Sequence, residues 1–186
     1  GFVMMYYHRK YGHKNPEPDI NFKEGAIVTI QLPLYNEMYV AERLIKSVCE
    51  IDYPKDKMEI QVLDDSTDET TYIVAKAVEE KKKEGFDILH IRRGTREGYK
   101  AGALKEGMKI AKGEYIAIFD ADFIPQKEFL QKTLSYFTDE KVGMVQSRWE
   151  HLNGDYSIIT KAQALALDGH FVIEQTVRNR SGFFIN

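Results

Sequence analysis

Short apolar runs alternate along this chain with segments of helical periodicity, and that alternation restricts the fold more than any other feature. The runs at 26–32, 59–63, 88–91 and 115–119 are rich in Ile, Val and Leu. The stretches at 39–51, 70–83 and 99–111 carry helical patterns, as Val40, Leu44, Ile45 and Val48 show. Strand and helix in regular succession imply parallel strands joined by right-handed crossovers. The expected class is therefore α/β, a mainly parallel sheet with helices on both faces. The first strand should stop at Pro33, and Ser66 or Thr67 should cap the helix at 70–83. A helix at 126–137 and a strand at 142–146 should complete the unit, followed by a longer helix at 157–177 and the opening of a strand at 183–185.

In such a sheet, ligands bind outside the carboxyl ends of the strands, where the loops converge. The four strand exits here read Pro33-Leu34-Tyr35-Asn36-Glu37, Asp64-Asp65-Ser66, Arg92-Arg93-Gly94 and Asp120-Ala121-Asp122. Any one of these is an ordinary turn or helix-cap sequence. Four in succession deliver charged groups to one rim. Asp120 and Asp122, two residues apart at the end of an apolar strand, offer hard oxygen ligands to Mg²⁺ or Mn²⁺. A diphosphate and waters would complete that shell, so no third protein ligand is required. Lys100, in Gly98-Tyr99-Lys100-Ala101-Gly102, places an ammonium at the start of a helix, a natural anion site.

The 186 residues are enough to bury one core, and one main domain is the default. A net charge of −3, with no basic run interleaved with aromatics, argues against a nucleic-acid partner. The single cysteine, Cys49, cannot form an internal disulfide and reads as a buried reduced thiol, which favours a cytosolic compartment. Residues 1–7 are apolar but far shorter than the roughly 20 residues that span a bilayer. His8, Arg9, Lys10, His13 and Lys14 follow. That pattern reads either as the cytoplasmic flank of a transmembrane helix or as a disordered basic arm. Two prolines at 15–19 mark a linker, so the expected division is 1–24 juxtamembrane, 25–148 ligand-binding and 149–186 the start of a further part.

Four segments together carry a family resemblance: Pro33-Leu34-Tyr35-Asn36-Glu37, Leu63-Asp64-Asp65-Ser66-Thr67-Asp68, Lys100-Ala101-Gly102-Ala103-Leu104 and Phe119-Asp120-Ala121-Asp122. Their order and spacing resemble processive family 2 glycosyltransferases of GT-A (Rossmann-like) fold. Gln146-Ser147-Arg148-Trp149-Glu150-His151 and Leu167-Asp168-Gly169-His170-Phe171 are similar to the cellulose-synthase-like branch, especially its mannan- and glucan-synthase members. The resemblance runs from Ile27 to Asn186.

It implies an inverting enzyme that moves a hexose from a UDP- or GDP-sugar to a growing β-linked glycan, on the cytoplasmic face of a membrane that the whole protein enters through transmembrane helices. Pro33, Tyr35, Glu37, Asp64, Asp65, Lys100 and Asp120 are then nucleotide-binding. Tyr35 and Glu37 would contact base and ribose, Asp65 with Asp64 would read the base, and Lys100 would meet the ribose-phosphate. Asp122 would hold the Mg²⁺ or Mn²⁺, with Asp120 sharing the metal or contacting the ribose. The general base and the Gln-x-x-Arg-Trp acceptor segment are expected beyond Asn186, in an acceptor-binding part of which 149–186 is the start, the fold being truncated at the C-terminus. Trp149, Asp168 and His170 are either core or acceptor-channel residues. Two rivals stand beside this reading: a metal-dependent nucleotidyltransferase, which would normally open with a Gly-rich phosphate loop where Pro33 to Glu37 stand, and a non-catalytic nucleotide-binding module.

Overall fold

The computed structural model describes residues 2–11, 25–147, 156–168 and 177. It divides into two compact units, Ile20–Ser135 and the combined segments Gly1–Asp19 and Tyr136–Asn186.

The Ile20–Ser135 unit holds four parallel strands: β1 (Val28–Leu34), β2 (Met58–Asp64), β3 (Asp87–Arg92) and β4 (Tyr115–Ile118), in the order β3-β2-β1-β4. Its helices are α2 (Ala41–Cys49), α3 (Thr70–Lys83), α4 (Tyr99–Met108) and the short α5 (Phe129–Leu134). The chain steps from β1 outward to β3, then returns to the far side of β1. With crossovers of one hand, that reversal must put α4 on the face opposite α2 and α3. The side chains agree. Even-numbered positions of β1 and β2, including Ile30, Leu32, Ile60 and Val62, join Leu44, Ile45 and Val48 of α2 and Val74 and Val78 of α3 in one apolar core. Odd-numbered positions carry Thr29, Gln31, Glu59 and Gln61, all buried, on the face that α4 covers.

This polar face is bonded largely among its own side chains, although Gln31 Oε1 and Glu59 Oε1 have no hydrogen-bond partner among the described residues. The Thr29 hydroxyl donates to Glu59 Oε2 at 2.6 Å, and the Gln31 amide donates to Gln61 Oε1 at 3.0 Å. The Lys112 and Gly113 amides close the end of the ladder on Glu59 and Thr29. The α4 backbone comes close enough that a Cβ at Gly107 would meet Gln31 Nε2 at 2.5 Å and Gln61 Oε1 at 2.6 Å. Glycine is therefore what lets this helix seat on glutamine ends without breaking their bond.

Several local expectations are corrected. Pro33 does not end β1, which runs on to Leu34. The Asp65 amide bonds to Leu34 O, so even positions of β1 face β2 and Pro33 faces β4, whose pairing with β1 stops at Gln31 and Ile118. The missing proline N–H thus falls where the ladder has already ended. Neither Ser66 nor Thr67 caps α3. Asp68 Oδ1 receives the Thr70 amide at 3.0 Å, while the Ser66 hydroxyl turns to the Asn36 amide at 2.9 Å. The helix expected at 126–137 contracts to α5 followed by a 3-10 turn, Ser135–Thr138.

In the other unit, residues 142–146 form no strand. The Val142 amide closes a turn onto Asp139 O at 2.9 Å, and Met144 is exposed. An apolar run becomes a strand only where a neighbour pairs with it. α1 (Phe2–Tyr11) carries His8, Arg9 and Lys10 in its last turn, and α6 (Ile158–Asp168) takes the first part of the helix expected at 157–177. No described helix is long and apolar enough to cross a membrane. Trp149, His170 and the strand expected at 183–185 lie outside the described residues.

Candidate active site

Between β1 and β4 the strand order reverses, and at such a switch point the loops leaving the two strands diverge and open a crevice. A cleft of about 610 Å³ lies there, lined by Pro33, Leu34, Tyr35, Glu37, Leu63, Asp65, Arg96, Lys100, Ala103 and the Asp120-Ala121-Asp122 turn. Its size suits a nucleotide-sized ligand. It brings together six of the seven residues expected to bind nucleotide, and Asp122.

Asp64 is the exception. Though adjacent to Asp65 in the chain, it points to the opposite face of the pleat. Its carboxylate is buried, 2.9 Å from His90 Nε2, and accepts the Ser66 amide at 2.8 Å. Burial pushes this carboxyl up, but the hydrogen bonds from His90 and Ser66 outweigh it and hold the group below the ordinary carboxylate range. Asp64 thus lies outside the cleft lining and ties β2 to β3.

The rim is held by bonds between loops. Asn36, in a left-handed conformation (φ 55°), accepts the Thr67 amide on its side-chain oxygen at 2.9 Å, and its own amide reaches the Ser66 hydroxyl. Asn is among the few side chains at ease there. These bonds fix the β1 exit to the β2 exit and present Tyr35 and Glu37, both exposed, at the edge of the cleft.

Asp65 is paired with Arg93, which donates from Nε to Asp65 Oδ1 at 2.9 Å and from Nη2 to the second carboxylate oxygen. That bidentate pair is nearly enclosed, and the hydrogen bond to Asp65 raises the Arg93 pKa above its ordinary value. The same guanidinium reaches Glu97 O at 2.9 Å and Tyr99 O at 3.1 Å, so it also shapes the loop into α4. Gly102 is required by that packing, because a Cβ would fall 2.0 Å from Glu97 O.

Lys100, in the first turn of α4, forms an ion pair with Asp120. The Phe123 amide bonds to Asp120 O at 3.1 Å, a turn that sets Asp120 and Asp122 on one rim, with Asp120 half-buried and Asp122 exposed. Among the described residues no cluster of three or more metal-ligating side chains occurs. Two carboxylates facing a cleft that would hold a diphosphate fit a Mg²⁺ or Mn²⁺ ion sharing its shell with phosphate and water, and do not fit a metal caged by protein alone. Two contacts carry no signal in the sequence read alone: the pairing of Arg93 with Asp65, and that of Arg96, whose Cζ sits 3.3 Å from the Tyr35 ring centroid. A basic loop after β3 was legible; which arginine meets which rim group was not.

Comparison with known proteins places this geometry. The chain is 43% identical over 191 aligned positions to glucomannan 4-beta-mannosyltransferase 7 of Arabidopsis thaliana, covering 95% of this chain and 34% of that protein. It is 40% identical over 166 positions to glucomannan 4-beta-mannosyltransferase 1 of Oryza sativa subsp. japonica, covering 87% of this chain and 32% of the relative. The chain thus spans about a third of the length of these curated relatives. Among solved structures it resembles the mannosyltransferase PcManGT of Pyrobaculum calidifontis in complex with GDP-Man and Mn²⁺, with a TM-score of 0.66 and 30% identity over 79% of this chain and 44% of that one. A weaker likeness, TM-score 0.52 at 26% identity, joins it to S. aureus TarS 1-349 in complex with UDP, over 67% of this chain and 40% of the other. The fold is accordingly the GT-A-like α/β fold, and the model of the family described as "Glycosyl transferase family 2" matches residues 29–185. With so much of its length matched, this chain belongs to glycosyl transferase family 2.

Proposed function

We propose that this chain is the donor-binding part of an inverting hexosyltransferase that adds mannose, or a closely related hexose, from a GDP-sugar to a growing β-linked glycan. The single observation that carries the reading is the cleft at the β1–β4 switch point, where Tyr35, Glu37, Asp65, Lys100, Asp120 and Asp122 meet. Mannose and guanine are favoured over other hexoses and uracil by the names of the relatives and by GDP-Man in the PcManGT complex. A UDP-hexose is the alternative, supported more weakly by the TarS likeness.

In this reading Tyr35 offers its exposed ring to the base, Asp65 accepts a hydrogen bond from a base N–H, and Glu37 takes a ribose hydroxyl. Lys100 and the N-terminal turn of α4 face the phosphates. Asp122, with Asp120, would hold the Mg²⁺ or Mn²⁺ that stabilises charge on the departing diphosphate. The acceptor hydroxyl needs a carboxylate base to become a competent nucleophile, and we assign that role to none of the described residues. The reading includes a membrane-bound whole protein with this unit on the cytoplasmic side, supported by the change from apolar to basic residues along α1. A nucleotidyltransferase is disfavoured because the β1 exit carries no Gly-rich phosphate loop, and the family match points elsewhere.

Calorimetry with GDP and UDP, in Mn²⁺ and then in EDTA, tests it. GDP should bind in Mn²⁺ and lose most of its affinity in EDTA, since its charge would otherwise face Asp120 and Asp122 unscreened. Equal affinity in both conditions would remove the metal from the site.

A further inference from the structure

Arg96 stands in the loop between β3 and α4, and its guanidinium carbon lies 3.3 Å from the centroid of the Tyr35 ring and 5.0 Å from that of Tyr99. The neighbouring cations of the rim are committed elsewhere, Arg93 to Asp65 and Lys100 to Asp120. Arg96 has no carboxylate partner among the described residues, although it lines the cleft beside Glu37, Asp65, Asp120 and Asp122. Arg96 is exposed, and a cation–π contact at an exposed site is weak enough to be exchanged for a charged partner. It is also the charge that an entering diphosphate would draw.

The two contacts are coupled by space. A planar guanidinium at stacking distance fills the volume that a planar nucleobase on the same ring face would need. Base and Arg96 therefore exclude one another there. An arginine released from the ring carries a fork of donors that matches phosphate oxygens, with bonds roughly twice as strong as neutral ones. We propose that Arg96 is a donor-binding residue: it yields the Tyr35 ring to the nucleobase and turns its guanidinium onto the diphosphate. The inference rests on the nucleotide-sugar reading above and adds to it a cation that the family motifs in this chain do not contain.

The test is calorimetry with guanosine and with GDP in Mn²⁺, for the unaltered protein, Arg96→Gln and Arg96→Lys. Arg96 is exposed, so both variants should keep the thermal midpoint of the unaltered protein. Glutamine keeps a planar group over the ring without charge, whereas lysine keeps the charge without the plane. The preference for GDP over guanosine should fall about tenfold to a hundredfold in Arg96→Gln and stay largely intact in Arg96→Lys, with guanosine affinity unchanged or raised in both. An unchanged preference in Arg96→Gln would overturn the inference. So would an equal loss of guanosine and GDP in both variants, which would make Arg96 a wall of the base site. Failure of the unaltered protein to bind GDP would sink the donor-site reading itself and the inference with it, and would show before any variant is made.

Discussion

The sheet carries two polar zones, each with carboxylates, and they solve opposite problems. On the α4 face, Thr29, Gln31, Glu59 and Gln61 are sealed from water and bonded mainly to one another and to the Lys112 and Gly113 amides. At the carboxyl ends of β1 and β4, Tyr35, Glu37, Lys100 and Asp122 stand exposed, and the ion pair of Lys100 with Asp120 is open to solvent. A buried polar group must be satisfied within the protein, since leaving it unpaired costs about 1 to 3 kcal/mol. A rim group can wait for a ligand because water serves it meanwhile. The contrast teaches that carboxylates alone do not mark a site. What distinguishes Asp122 from Glu59 is that its partners are left to be supplied. Asp64 and Asp65 divide differently within one dipeptide: Asp64 is locked to His90 and Ser66 away from the cleft, whereas Asp65 lines the cleft although Arg93 already pairs with it.

That comparison can be broken by substitution, ranked by the expected effect on stability. Glu59→Ala should be the most damaging, because it leaves the Thr29 hydroxyl, the Gln61 amide and the Lys112 amide without their common acceptor. A loss of about 3 kcal/mol in denaturant unfolding is expected. A loss below about 1 kcal/mol would mean that the ladder does not depend on Glu59.

Asp64→Asn comes next, at about 1 to 2 kcal/mol near neutral pH, and its effect should depend on acidity. The folded carboxyl is held below its ordinary value, so the unfolded chain takes up the proton first. The stabilisation is fully present above the ordinary carboxylate pKa of about 4 and fades as pH falls through the lower folded value. Unfolding midpoints of the protein and the Asn variant should therefore converge in acid. A gap that stayed constant down to pH about 2 would contradict the role given to this carboxylate.

The smallest effect on stability belongs to Asp122→Asn, expected within about 0.5 kcal/mol of the unaltered protein because the side chain is exposed. Its signature lies in binding, where Mn²⁺-dependent GDP affinity should drop at least about tenfold while Asp64→Asn leaves it nearly unchanged. The reverse ranking in binding would exchange the roles of rim and interior.

Much of this was readable before any coordinates. The alternation of apolar runs and helical patterns determined the α/β class, and four charged strand exits pointed to the edge of the sheet where the cleft opens, because parallel strands all end on one side. Those are local signals, repeated often enough that no single misreading changes the outcome. The tertiary structure decided what local signals cannot contain. Pro33 continues β1 because β4 pairs with it only as far as Gln31, and the run at 142–146 is no strand because it bonds back on Asp139 instead. Asp64 turns from the cleft because the pleat carries it to the other face, toward His90. Arg96 meets Tyr35 only because the loops after β1 and β3 converge above the sheet. Each of these depends on a partner remote in the chain, and a side chain's role follows from what folding brings within reach of it.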